Sequence, residues 1–227
     1  MDEDSYWRLK VFTDNILLGY PLHSNELLHA EPEVFLAATH IAHYQLEMAR
    51  EGFFIRGGIS MGPLFIDDYI AYGPALNDAY EMEHKIARDP RVVVGPTMRQ
   101  LLLEQLGRHS PAERALQNRD FLVDPDGQIF IHYLSGCLGE SQEGSQDVDR
   151  ETLGLHKQHI EKSLLEFVAN PTVWAKYSWL ACYHDYTVRE WVEQGWLDSD
   201  LYIDSKLRRP TPVKLYSLLT TEVAPQE

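Results

Sequence analysis

Apolar and polar residues alternate from Tyr6 to Leu18 with a break at Thr13-Asp14-Asn15. A period of two around a polar interruption predicts a β-hairpin with an acidic tip. The period then changes. From Pro32 to Glu51, Val34, Leu36, Ala37, Ile41, Tyr44 and Met48 recur at helical spacing, and Gly52 supplies a stop. Phe53 to Met61 reads as a buried strand, with Leu64 to Ala71 as its antiparallel partner. Pro74 to Arg88 reads as a helix, opened by a proline at a first-turn position where its missing N–H costs nothing. Arg91 to Val94 is a short β-branched strand and Thr97 to Leu106 a helix.

Arg108 to Arg119 is polar throughout and predicts a connection. Phe121 to Leu134 holds two apolar runs around Asp124-Pro125-Asp126-Gly127, the composition of a turn between strands. Gly136 to Asp149, rich in Gly, Ser, Gln, Glu and Asp, predicts a flexible loop. Arg150 to Ala169 and Val173 to Thr187 predict two helices, the second with Trp174, Tyr177, Trp179 and Tyr183 as an aromatic stripe for docking on the core or on a partner. The chain from Trp191 onward reads as irregular. The order is that of an α+β fold, with helices on one face of a largely antiparallel sheet. Its expected divisions are a domain over 1–135, a loop over 136–149 and a helical extension over 150–227.

The chain's 227 residues suffice for a full core, and the net charge of −15 removes the cationic surface that non-specific nucleic-acid or anionic-membrane binding needs. Two cysteines, Cys137 and Cys182, lack metal-type spacing and predict a reducing compartment rather than a disulfide framework. No apolar run reaches the roughly 18 residues of a spanning helix, and Met1-Asp2-Glu3-Asp4 is not a signal-peptide start. The expected location is the cytoplasm.

Two glycine-rich blocks stand out: Arg56-Gly57-Gly58-Ile59-Ser60-Met61-Gly62, and Tyr72-Gly73-Pro74-Ala75-Leu76-Asn77-Asp78-Ala79-Tyr80-Glu81-Met82-Glu83. Glycines so placed let a ligand phosphate or another chain approach the backbone. With Lys10-Val11-Phe12-Thr13-Asp14-Asn15-Ile16, these blocks resemble the core of class III nucleotidyl cyclases. The nearest resemblance is to the pyrimidine cyclases of bacterial Pycsar antiphage systems. Arg88 to Val94, the Asp126-Gly127 hairpin and Lys176 to His184 extend the similarity. It rests on the order and spacing of the blocks, over roughly Tyr6 to His184.

The resemblance implies a ferredoxin-like cyclase sheet that converts UTP or CTP to a 3′,5′-cyclic monophosphate and pyrophosphate. It also implies a head-to-tail homodimer with the active site at the interface. Two metal ions, Mg²⁺ or Mn²⁺, would activate the ribose 3′-hydroxyl and bind the triphosphate. Asp14 matches the second of the family's two metal-binding aspartates; read without the surrounding blocks, it is a turn-capping residue. The first aspartate belongs on a strand upstream, and the thirteen residues before Asp14 spell no such strand, so one protein ligand is identifiable.

Lys10 and Phe12 fall at the base-binding strand, where Lys10 by itself reads as an ordinary exposed strand residue. Ile70 replaces the aspartate with which purine cyclases read the base, which favours a pyrimidine. Asn77 matches the ribose-orienting asparagine. Glu81 stands where many relatives place a transition-state arginine, and a carboxylate repels the charge developing there. Arg56 is the nearest alternative cation, with an internal ion pair as its competing role. Glu81 has its own ordinary explanation in an i,i+4 pair with Lys85. The rival readings are a catalytically silent nucleotide- or protein-binding module of the same fold and an adenylate or guanylate cyclase. The pairs His40/His43 and His156/His159 lack further ligands and predict no zinc site; Asp67-Asp68 predicts a solvated turn.

Overall fold

A computed structural model describes residues 7–13, 15–22, 31–108, 119–142, 145–207 and 215–217. The hairpin forms as expected from β1 (Arg8–Phe12) and β2 (Asn15–Gly19), with Thr13 at its tip in a positive-φ conformation. Helix α1 (Glu31–Arg50) buries Val34, Ala38, Ala42, Leu46 and Ala49 along one stripe. It ends in a pair of capping bonds, Gly52 N–H to the Ala49 carbonyl (3.1 Å) and Phe53 N–H to Met48 (2.9 Å).

The next segment departs from expectation. Within Phe53–Met61 only β3 (Gly57–Ile59) is strand, and its partner is the parallel β6 (Val92–Val94), with Gly57 opposite Val92. The sequence between 64 and 72 closes on itself, β4 (Phe65–Ile66) pairing with β5 (Ala71–Tyr72). Local turn closure at Asp67 outcompetes pairing with β3: the carboxylate accepts from the Tyr69 and Ile70 N–H groups at 2.7 and 2.8 Å.

Helix α2 (Pro74–Glu81) runs into a π turn over Met82–Ile86, closed by Ala87 N–H to the Met82 carbonyl at 2.8 Å. Then come α3 (Pro96–Arg108), β7 (Phe121–Val123), β8 (Ile129–Ile131) and a 3₁₀ turn over Tyr133–Cys137. The stretch expected as a flexible loop over 136–149 instead pairs β9 (Leu138–Gln142) with β10 (Ser145–Val148). Helices α4 (Arg150–Glu166) and α5 (Pro171–Glu193) follow, capped by Asp149 and Asn170. The region after Trp191 is not wholly irregular: a 3₁₀ turn spans Ser199–Leu201, and β11 (Tyr216–Ser217) joins the sheet beside β7.

The molecule is therefore a mixed helix-and-strand fold around a five-stranded mixed sheet of order β11-β7-β8-β6-β3, with small antiparallel pairs beside it. Every residue of β6, β7 and β8 is buried. Since successive side chains point to opposite faces, both faces of the sheet are covered. Phe121 meets Phe35 of α1 edge-on, whereas Phe130, on the opposite face, meets Trp179 and Tyr183 of α5. The expectation of helices on one face is corrected accordingly. One hydrophobic core joins residues from Val34 to Leu215, so α4 and α5 share it with the sheet. Among the described residues no helix is long and apolar enough to cross a membrane.

Candidate functional site

The residues singled out by the sequence fall along the rim formed by β1–β2, β4–β5 and α2. Lys10 and Phe12 alternate onto one face of β1, opposite Leu17 and Asn15 of β2. Gly19 of β2 lies against Leu64 and Ile66, which fixes the hairpin beside β4. Ile70 sits exposed in the turn between β4 and β5, its carbonyl accepting from the Asp67 N–H at 3.0 Å. The Ile70 and Tyr69 N–H groups hold the Asp67 carboxyl below the usual carboxylate range, and the positive charge of Lys10 adds to them.

Asn77 projects from the first turns of α2, exposed. The helix start is fixed by Gly73, whose φ of 147 lies where side chains are rarely tolerated and whose missing Cβ leaves room for the Pro63 carbonyl, 2.5 Å from where that atom would stand. Ala75 N–H reaches the same carbonyl at 3.3 Å. Asp14 lies outside the described residues.

Two cations near α2 are engaged. Arg56 is paired with Glu83 at 2.7 Å, a contact made by the π turn. Gly58 allows that turn to lie on β3, since a Cβ there would collide with Met82 and with the Ala79 carbonyl. Lys85 pairs with Glu81 at 2.8 Å, one helical turn away. Among the described residues no group of three or more His, Cys, Asp or Glu side chains is arranged to hold a metal ion. The one ligand from the resemblance, Asp14, is short of the set a two-ion site takes.

Around this rim apolar side chains remain in solvent: Leu9, Val11 (65% exposed), Phe12, Ile16 and Leu18 on the hairpin, and Phe65, Tyr69 (90% exposed), Ile70 and Tyr72 on its neighbour. The register places Leu9, Val11, Ile16 and Leu18 together on one face of the hairpin, with Phe12 on the other.

Two buried polar clusters escaped the sequence. In one, the Arg91 guanidinium is 2% exposed and binds Asp124 and Asp126, while Asp124 also accepts from the Trp179 indole N–H at 2.8 Å. Burial pushes the Asp124 carboxyl up to about 6, against the opposing pull of Arg91 and Trp179. With its fork filled from inside, Arg91 is an anchor between β6, the β7–β8 turn and α5. In the other, Tyr183 of α5 joins His132 (2.8 Å) and the Leu134 N–H (3.0 Å). Burial pushes His132 down to about 3. Beside it, Tyr133, His156 and His184 form a hydrogen-bonded line. His159 donates to the Arg50 carbonyl at 3.0 Å and so caps α1. His156 and His159 are thus engaged in structural contacts. Nothing in local sequence signals these clusters, because their members are far apart along the chain.

Compared with known proteins, the chain matches no family model, no curated protein and no solved structure.

Proposed function

We propose that the rim from β1 to α2 binds a nucleoside triphosphate and that the chain is a nucleotidyl cyclase of class III type. It would take UTP or CTP and work as a cytoplasmic homodimer in an antiphage signalling system, with Mg²⁺ or Mn²⁺ held in part by Asp14. The ribose 3′-oxygen would bond to the α-phosphorus as the bond to the β-phosphate oxygen breaks, releasing pyrophosphate and the hydroxyl proton. Asn77 orients the ribose; Lys10, Phe12 and Ile70 surround the base. The observation that carries the reading is the ordered run of blocks, with Lys10, Ile70 and Asn77 on adjoining elements of one rim. Ile70 offers no acceptor for an exocyclic amine, which favours a pyrimidine over the adenylate or guanylate alternative.

A second reading has its own support. Arg56 and Lys85 are both neutralised by carboxylates, Glu83 and Glu81. With these two cations paired, the charge developing at the α-phosphate meets less stabilisation, and nucleotide is bound without being turned over quickly. Incubation of the chain with each of the four labelled NTPs and Mn²⁺ separates the readings. Cyclic UMP or cyclic CMP is the expected product. Cyclic AMP or GMP would replace the base assignment, and nucleotide binding without product would leave a silent module.

A further inference from the structure

The line through Tyr133, His156 and His184 has one end whose polarity is fixed. His184 Nε2 lies 2.9 Å from the Leu201 carbonyl oxygen. A carbonyl only accepts, so Nε2 carries the hydrogen, and in a neutral ring Nδ1 is then an acceptor. That Nδ1 lies 2.9 Å from Nδ1 of His156, with the two rings 17° from coplanar and meeting edge to edge. His156 Nδ1 must donate, which leaves its Nε2 to accept from the Tyr133 hydroxyl at 2.8 Å. Donation thus runs one way, from Tyr133 through His156 and His184 to Leu201, and each assignment follows from the last.

We propose that Tyr133, His156 and His184 form a proton-operated latch: neutral, they tie the turn at 199–204 to α4 and α5, and protonation, which the closed line admits only by losing the Tyr133 bond and burying a charge, favours release of that turn. The proposal is independent of what binds at the rim. A proton added at His156 Nε2 turns the Tyr133 hydrogen away from its acceptor. Passing that charge on to His184 requires His156 to change tautomer, with the same loss at Tyr133. A second proton would point two N–H groups at each other across 2.9 Å. The closed line therefore admits one proton at most, at the cost of a buried charge, whereas the opened one admits two.

Both imidazoles are buried, His156 between Phe54, Tyr133 and Tyr183. Burial, with His184 and His159 adding to it, holds His156 well below the ordinary histidine range. Neutrality is then favoured in the closed state, and closure is lost as pH falls below about 6.5.

Other titratable and charged groups face the latch from each element. The 3₁₀ turn brings Cys137 beside Tyr133. Helix α4 brings Arg150, paired with Asp200 at 2.8 Å, and Lys157, whose ammonium donates to the Asp200 carbonyl at 3.1 Å; Glu161 accepts from the Asp204 N–H at 2.8 Å. Helix α5 brings Asp185, which accepts from the Ile203 N–H at 2.9 Å. The turn itself carries Asp198, Asp200 and Asp204. The His156→Gln variant separates the histidines' share of a pH response from that of these carboxylates.

Long-range proton–nitrogen NMR on the full chain at pH 7 is expected to show the hydrogen on Nδ1 of His156 and on Nε2 of His184. Hydrogen exchange at the Ile203 and Asp204 amides, corrected for intrinsic rates, is expected to speed at least about 20-fold from pH 7 to 5, the value for one histidine of ordinary affinity titrating on opening. His156→Gln is expected to cut that response below about fivefold, because the amide can turn to accept from a charged His184. Reversed tautomers, an imidazolium at pH 7, or exchange that does not respond to pH in the wild type would each overturn the proposal. So would a folded His156→Gln protein that keeps the full response. If that variant does not fold, the wild-type tautomers and exchange decide the matter.

Discussion

Gly58 shows how much of the site geometry rests on one missing side chain. Its absent Cβ allows the π turn to lie on β3, and the π turn in turn carries Glu83 to Arg56. Gly58→Ala drives the new Cβ against the Ala79 carbonyl, 2.6 Å away, which no rotamer change relieves. The expected cost is about 1–3 kcal/mol, read as a lower urea midpoint at unchanged slope; a midpoint equal to the wild type would show that the helix shifts freely. Residue types alone made Arg56 and Glu81 ambiguous between chemistry and ion pairing. Which partner each takes is decided by the helix geometry over 82–86, and a π turn leaves no periodic trace in five residues.

At the scale of elements, the β1–β2 hairpin is the least buried strand pair. A lone two-stranded hairpin is marginal in water, and this one exposes Leu9 and Phe12 along with Val11 and Ile16. In a head-to-tail homodimer it would be covered. Hydrogen exchange at Val11 and Ile16 is therefore expected to slow as the protein concentration rises from about 1 to 100 μM, over which a dimer of micromolar affinity fills. Exchange independent of concentration, with a monomeric mass by light scattering, would count against the homodimer. Alternation revealed this hairpin, and helical spacing revealed α1, α4 and α5. The partner of β3 was not legible. A short strand of Gly-Gly-Ile carries no face pattern to specify register, and the parallel match to Val92–Val94 comes from across the fold.

For the whole molecule, a division between a domain ending at 135 and a helical extension meets a single shared core. Trp179 and Tyr183 cover the Phe130 face of the sheet, and Trp179 also satisfies buried Asp124. A chain ending at Asp149 would expose that face and leave Asp124 without its indole donor. It is expected to associate and to show no cooperative urea transition as a monomer, by light scattering and fluorescence; a monomeric, cooperatively unfolding 1–149 fragment would contradict the shared core. The sequence by itself determined the β1–β2 hairpin, the long helices, the turns that break them and which residues resemble a nucleotide site, because periodicity, glycine and proline placement act over a few residues. Only the tertiary structure decided that both sheet faces are covered, that Arg56 is neutralised and that His156 and His184 join Tyr133 to Leu201. Those outcomes depend on burial and on hydrogen-bond distances between residues tens of positions apart, and a pattern of apolar and polar positions specifies which face is buried without naming what it meets.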